Sequence, residues 1–206
     1  MTRFPKKRNS KKEVLKSMRV ARDQDVKWEK GRAFGLIYHI NEEIDSLLKD
    51  AFMMFFSENG LNPTAFPSLR KFETEVVSMT ASLLHGDEKV TGNMTSGGTD
   101  SILCAVKPAR DWARDPLPLA TTPEIVLPRS GHPAFEKAAH YFGIKTVFVP
   151  VGDDFRADVD AMRAAVTQNT ILMVGSAPAY PHGVIDPIRE LAAIAQEKGI
   201  LFHTDS

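Results

Sequence analysis

The sequence predicts an α/β fold built on a mostly parallel, doubly wound sheet. Three observations predict it. From about residue 90, short apolar runs alternate with amphipathic stretches of helical period. The runs at 124–127, 145–149, 170–174 and 200–204 are mostly apolar, as strands buried on both faces require. The junctions carry helix-end signals. Pro133 and Asp186-Pro187 stand where helices should start, and Gly143 and Gly199 where they should stop.

Taken in chain order, residues 1–30 hold 11 Lys/Arg against 4 Asp/Glu, a local +7, and residues 31–206 carry a local −7. Such an arm suits a solvated tail or helix that packs on an acidic partner, or peripheral contact with an anionic membrane surface. Phe4 and Trp28 are its only aromatics, too few for stacking on bases, so no nucleic-acid partner is expected. Residues 41–56 predict a helix, with Ile44, Leu47, Leu48, Ala51, Phe52 and Phe55 at helical spacing. Pro63 and Pro67 break the pattern, and a second helix follows over 68–84 on Leu69, Phe72, Val76, Val77 and Leu83. The expected division is an N-terminal basic arm and helical segment, 1–67, and a larger domain, 68–206.

In the larger domain the expected strands are 89–94, 124–127, 145–149, 170–174 and 200–204. The helices between them are 100–114, 133–142, 157–166 and 187–198. Pro108 falls inside the first of these helices, where an interior proline costs about 3 kcal/mol and should kink it.

Composition excludes several classes. With 206 residues, 43% hydrophobic and 25% charged, the chain can build a substantial core and is not disordered throughout. One cysteine, Cys104, rules out an intrachain disulfide and a CxxC metal site; it is expected as a buried apolar residue, and no metal is expected. The longest bulky apolar run, 51–56, is far short of the roughly 20 residues that span a bilayer. No apolar run follows the basic start, so no secretory signal and a cytoplasmic location are expected.

In a doubly wound sheet, ligands sit beyond the C-terminal ends of the strands. Four loops there are polar: Thr95-Ser96-Gly97-Gly98-Thr99, Ser130-Gly131-His132, Ser176-Ala177-Pro178 and Asp205. In the first, adjacent glycines at a helix start leave backbone amides open to a phosphate, with Ser96 and Thr99 adding hydroxyls; the alternative is a tight turn with Thr99 as a cap. The segment is neither a P-loop nor a GxGxxG fingerprint, which disfavours a nucleotide-binding protein. His132 can cap a helix, or it can stack on a flat ring or exchange a proton near neutral pH. Asp205 can cap a following helix, or it can pair with a protonated ring nitrogen. Together, phosphate cradle, stacking histidine and pyridinium carboxylate are what a pyridoxal phosphate site requires.

The segment Thr95-Ser96-Gly97-Gly98-Thr99-Asp100-Ser101-Ile102-Leu103 resembles the glycine-rich signature of the sphingosine-1-phosphate lyase family, within the pyridoxal-phosphate-dependent group II decarboxylases. The likeness continues at Phe66-Pro67-Ser68-Leu69-Arg70, Pro123-Glu124-Ile125-Val126, His132-Pro133-Ala134-Phe135-Glu136, Pro181-His182-Gly183-Val184-Ile185-Asp186-Pro187 and His203-Thr204-Asp205, spanning about residues 28–206. The resemblance implies the aminotransferase-type fold (fold type I) and a homodimer, or a complementing subunit, with sites at the subunit interface. It implies pyridoxal 5'-phosphate, with Gly97, Gly98 and Thr99 at the phosphate beside Ser96, His132 on the ring and Asp205 at its nitrogen. Tyr38, in Gly35-Leu36-Ile37-Tyr38, resembles a position near the substrate.

The implied reaction is carbon–carbon cleavage of a phosphorylated sphingoid base, a phosphorylated amino alcohol, to a fatty aldehyde and phosphoethanolamine. The alternatives are an amino-acid decarboxylase of the same group and a non-catalytic fragment or dimerisation module. The family's Schiff-base lysine lies beyond the strand that ends at Asp205, and no lysine here matches its motif. No catalytic residue is therefore assigned. The expectation is an incomplete large domain, as in a truncated product, a disrupted gene or half of a split enzyme, and it is inactive alone. The loop from Asn62-Pro63 to Phe66-Pro67 is also shorter than the common family form.

Overall fold

The computed structural model describes residues 5–33, 35, 37–62, 64–113 and 122–206. Phe4, Leu36, Pro63 and Arg114, used above, lie outside the described residues. The chain divides into two compact units, Met1–Thr74 and Glu75–Ser206.

The first unit is helical. α1 (Lys11–Arg22) opens with a capping box, in which the Ser10 side chain accepts from the Glu13 amide and Glu13 reaches back to the Ser10 amide. A single 3-10 turn follows at Trp28–Lys30. α2 (Glu42–Met54) starts where Asn41 Oδ1 accepts the Ile44 amide at 2.9 Å, and Glu42, Glu43 and Asp45 crowd its positive end. α3 (Pro67–Leu83) begins in this unit, and Phe72 on it meets Phe55 edge-on at 5.4 Å. α1, α2 and α3 bury no residue.

The second unit carries the sheet. Its elements run α4 (Gly98–Ala113), β1 (Glu124–Pro128), α5 (Ala134–Phe142), β2 (Lys145–Val149), α6 (Val159–Ala164), β3 (Thr170–Ser176), α7 (Ile188–Lys198) and β4 (Leu201–Asp205). The four strands are parallel, in the order β2-β1-β3-β4. β1 and β3 are buried along their whole length, with β2 and β4 flanking them. Alternate residues feed two cores. Ile125, Leu127 and Val174 pack with Ile102 and Val106 of α4 and Phe135 and Ala138 of α5. Val126 and Met173 pack with Met162 of α6 and Leu191 and Ile194 of α7. This two-residue alternation, with helices on both faces, makes the fold doubly wound as expected.

Helix ends follow the sequence closely at α5 and α7, where Gly143 and Gly199 close the helices at φ 68° and 65°. A side chain there would be strained in the left-handed region, so glycine is the inexpensive choice.

Three expectations are corrected. Residues 89–94 form no strand; they are exposed and pair with no other segment among the described residues. Apolar alternation makes a strand only where a neighbour supplies the ladder. Asp186-Pro187 is not an N-cap followed by the first helical residue. Pro187 occupies the cap position, and the Asp186 carboxylate is engaged elsewhere. Cys104 is exposed rather than buried, with Sγ 3.9 Å from Asp100 Oδ1. The helix expected around Pro108 forms as α4, and Pro108 is exposed, so water can serve the Cys104 carbonyl that lacks its helical donor. Among the described residues no helix is long and apolar enough to cross a membrane.

Candidate active site

After β1 the chain turns first to β2 on one side and later to β3 on the other, so a crevice opens where the connections diverge. A cavity of about 410 Å³ lies there, lined by Ser130, Gly131, His132, Ser176, Tyr180 and Asp205 among others. Its volume is in the roughly 300–1,000 Å³ range of small-ligand pockets.

Each polar wall has a local cause. His132 stands just before α5, whose cap residue is Pro133 and brings no side-chain acceptor. His132 Nδ1 takes that role, accepting the Ala134 amide at 3.1 Å. The Nδ1 lone pair is thereby committed, and a neutral ring carries its proton on Nε2. Capping and a position in the cavity wall are thus compatible. β3 and β4 end level with each other: Ser176 is the register partner of Asp205, and the Ala177 amide donates to the Asp205 carbonyl at 2.7 Å. The Asp205 carboxylate has no hydrogen-bond partner among the described residues. Ser130 and Ser176 are 7% and 1% exposed, and their hydroxyl oxygens are buried without partners. Buried hydroxyls left unpaired cost free energy, and these two are closed off behind the cavity wall.

His203 stands two residues before Asp205 on the same face of β4, its ring edge-on to Phe135 at 5.6 Å. Burial holds its pKa below the ordinary histidine value, and the nearby Asp205 charge opposes that shift.

Of the residues singled out from the sequence, the structure brings His132 and Asp205 into one cavity. Ser96, Gly97, Gly98 and Thr99 are not among its lining residues. They form the turn into α4, which packs against α5, β3 and β4. The Ser96 amide and hydroxyl both donate to Asp100 Oδ2 at 3.1 Å, so one amide of the expected cradle is already taken. A Cβ placed on Gly97 or Gly98 would meet nothing within 4 Å, which leaves that turn open to an incoming anion at the positive end of α4. Tyr38 is in the first unit, fully exposed, beside a groove lined by Trp28, Leu48 and Phe52.

Arg129, Tyr180, Asp186 and His203 carried no expected site role in the sequence. Arg129 and Tyr180 flank the polar loops already noted, and both line the cavity. For Asp186 the Asp-Pro pattern pointed to a cap instead. Among the described residues no group of three or more His, Cys, Asp or Glu side chains could hold a metal. The cavity suits a flat heteroaromatic ring: an imidazole in its wall and a carboxylate for a basic nitrogen.

The model of the aminotransferase class-V family matches residues 73–206. Sphingosine-1-phosphate lyase of Arabidopsis thaliana is 47% identical over 201 residues, covering 94% of this chain and 37% of that protein. A solved sphingosine-1-phosphate lyase of Burkholderia pseudomallei superposes with a TM-score of 0.90 at 38% identity, covering 99% of this chain and 48% of that one. Lactobacillus brevis glutamate decarboxylase gives 0.77 at 25% identity, covering 98% and 50%. The chain thus spans little more than a third of the curated plant lyase. It belongs to the aminotransferase class-V family, with the fold type I architecture whose general cofactor class is pyridoxal phosphate.

Proposed function

We propose that this chain is the cofactor-binding part of a pyridoxal-phosphate-dependent carbon–carbon lyase acting on phosphorylated sphingoid bases. The observation that carries the proposal is the meeting of His132 and Asp205 in one cavity at the sheet's switch point. The similarity to sphingosine-1-phosphate lyases, stronger than that to glutamate decarboxylase, supports the choice of substrate class.

In this proposal Asp205 keeps a proton on the ring nitrogen, a task for which its carboxylate is free. His132 lies against the ring face, oriented by the bond from the Ala134 amide. Ser130 and Ser176 stand in the wall around the ring. Gly97, Gly98 and Thr99 offer backbone amides to the phosphate at the start of α4, with the Ser96 hydroxyl beside them. When bound, the cofactor supplies a sink for the electron pair released as a bond at the amine-bearing carbon breaks. Tyr38 contributes to the substrate end, and the protein works as a homodimer or with a complementing subunit. The basic arm approaches anionic lipid headgroups. The apolar faces of α2 and α3, on which Leu48, Phe52, Phe72 and Met79 are exposed, are the surfaces such a partner would cover.

The test is an assay of the complete protein loaded with cofactor. A phosphorylated sphingoid base should yield fatty aldehyde and phosphoethanolamine in equal amounts. Asp205→Ala should lower that rate by at least about a hundredfold, as loss of a group acting on developing charge does. Release of carbon dioxide from an amino acid, with no aldehyde from the sphingoid base, would replace the lyase by a decarboxylase.

A further inference from the structure

Asp186 is 2% exposed, yet it is an acid. A buried carboxylate persists only where donors meet it, and here both are backbone amides. Oδ2 accepts the Ser176 amide at 2.7 Å, and Oδ1 accepts the Ala157 amide at 2.8 Å. The Asp186 amide returns a bond to the Ser176 carbonyl at 2.9 Å. These contacts close the base of an excursion, residues 177–186, between β3 and α7. Higher in the excursion the Ala179 amide donates to the Val184 carbonyl at 2.8 Å. Tyr180, between them, lines the cavity.

The same carboxylate ties this excursion to the loop between β2 and α6, which carries Ala157. A second tie joins the two loops at the surface: His182 stacks on Phe155, with ring centres 4.6 Å apart and planes 13° from parallel. The deep tie differs in kind from the surface one. It ends on the amide of Ser176, a residue of the cavity lining and the register partner of Asp205.

We propose that Asp186 is a positioning residue for the cavity: by holding the Ser176 and Ala157 amides, its carboxylate fixes the end of β3 and the 177–186 strap in the shape that receives the cofactor. The inference rests on the cofactor reading above. Asp186 touches no ligand and acts through Ser176 and Tyr180. The two states it separates are a strap anchored at its base and one held by the exposed aromatic stack alone. Ligand binding that requires the anchored state must, by linkage, favour the hydrogen bonds that define it.

Two measurements on the complete protein test it. Asp186→Asn keeps the size but turns one acceptor into an NH2 donor, which cannot receive an amide. The dissociation constant for pyridoxal phosphate should rise about tenfold, the equivalent of one lost hydrogen bond to a charged group. His182→Ala, which removes only the surface stack, should leave that constant within about twofold. In the unsubstituted protein, pyridoxal phosphate should slow hydrogen exchange at the Ser176 and Ala157 amides. That slowing should exceed the slowing at the Glu124 amide, which donates to the Asn169 carbonyl at the opposite end of β1. A purely structural Asp186 would lower the melting temperature and leave the slowing at Ala157, which is not in the cavity lining, no greater than that at Glu124. If Asp186→Asn does not fold, the exchange comparison decides alone. Equal slowing at Ala157 and Glu124, or an unchanged constant in a folded variant, overturns the inference and leaves the cofactor reading standing. Absence of pyridoxal phosphate binding to the unsubstituted protein removes both.

Discussion

α2 and β3 represent two ways of specifying structure. α2 has a cap at Asn41 and acidic residues in its first turn, yet it buries nothing, and Leu47, Leu48, Phe52 and Met53 are exposed. β3 has no local device of comparable strength and is buried from Thr170 to Ser176. The helix is written in its own residues, because its hydrogen bonds close within a few positions. The strand exists only because β1 and β4 satisfy its backbone and two helix layers cover its faces. Local coding survives without a core, whereas the sheet and the site at its rim do not.

Truncation in the core should separate the two regions most sharply. Phe135, fully buried and edge-on to His203, should cost about 3–5 kcal/mol as Phe135→Ala in chemical denaturation. Phe52→Ala in α2, where the side chain is 67% exposed, should stay within about 0.5 kcal/mol for the monomer and instead weaken self-association in sedimentation. Equal losses from both would erase the distinction.

A smaller effect is expected at the opposite end of the sheet from the cavity. Glu124 is 6% exposed, and accepts from Lys145 Nζ at 2.8 Å and from Thr167 Oγ1 at 2.6 Å. The Lys145 bond first, then the Thr167 bond, holds its pKa below the usual value of 4.5. The folded carboxyl is therefore harder to protonate than the unfolded one. Its stabilisation is complete above the unfolded pKa and fades as pH falls through the folded value. Glu124→Gln should cost about 1–2 kcal/mol at neutral pH and flatten the acid limb of the stability–pH curve. A variant with the same acid limb as the parent would remove Glu124 from that account.

Asn41→Ala should give the smallest change, about 1 kcal/mol within α2, seen as lost helicity by circular dichroism. The unfolding midpoint of the sheet unit should not move. A shift there would mean that the cap supports more than its own helix.

Much of this fold was legible because its signals are short in range. Gly143 and Gly199 end helices wherever they are read, and the four apolar runs that became strands were each continuous enough to stand out. Residues 89–94 show the limit of that approach, since their alternation has no partner to pair with among the described residues. Asp186 shows another. The same Asp-Pro pair that can cap a helix here ties two loops together, and nothing in its neighbours reveals which.

For the candidate site, the sequence by itself determined which chemical groups stand at the strand ends, a histidine, a carboxylate and hydroxyls, and which pair of glycines opens α4. It also determined the helix-end residues that orient their surroundings. Only the tertiary structure decided that His132 and Asp205 share one cavity, that the Ser130 and Ser176 hydroxyls are buried unpaired behind its wall, and that the Ser96–Thr99 turn is outside its lining. The physical reason is range. Turn and cap preferences act over a few residues along the chain. The distance between two strand ends is set by pairing and packing across the whole sheet.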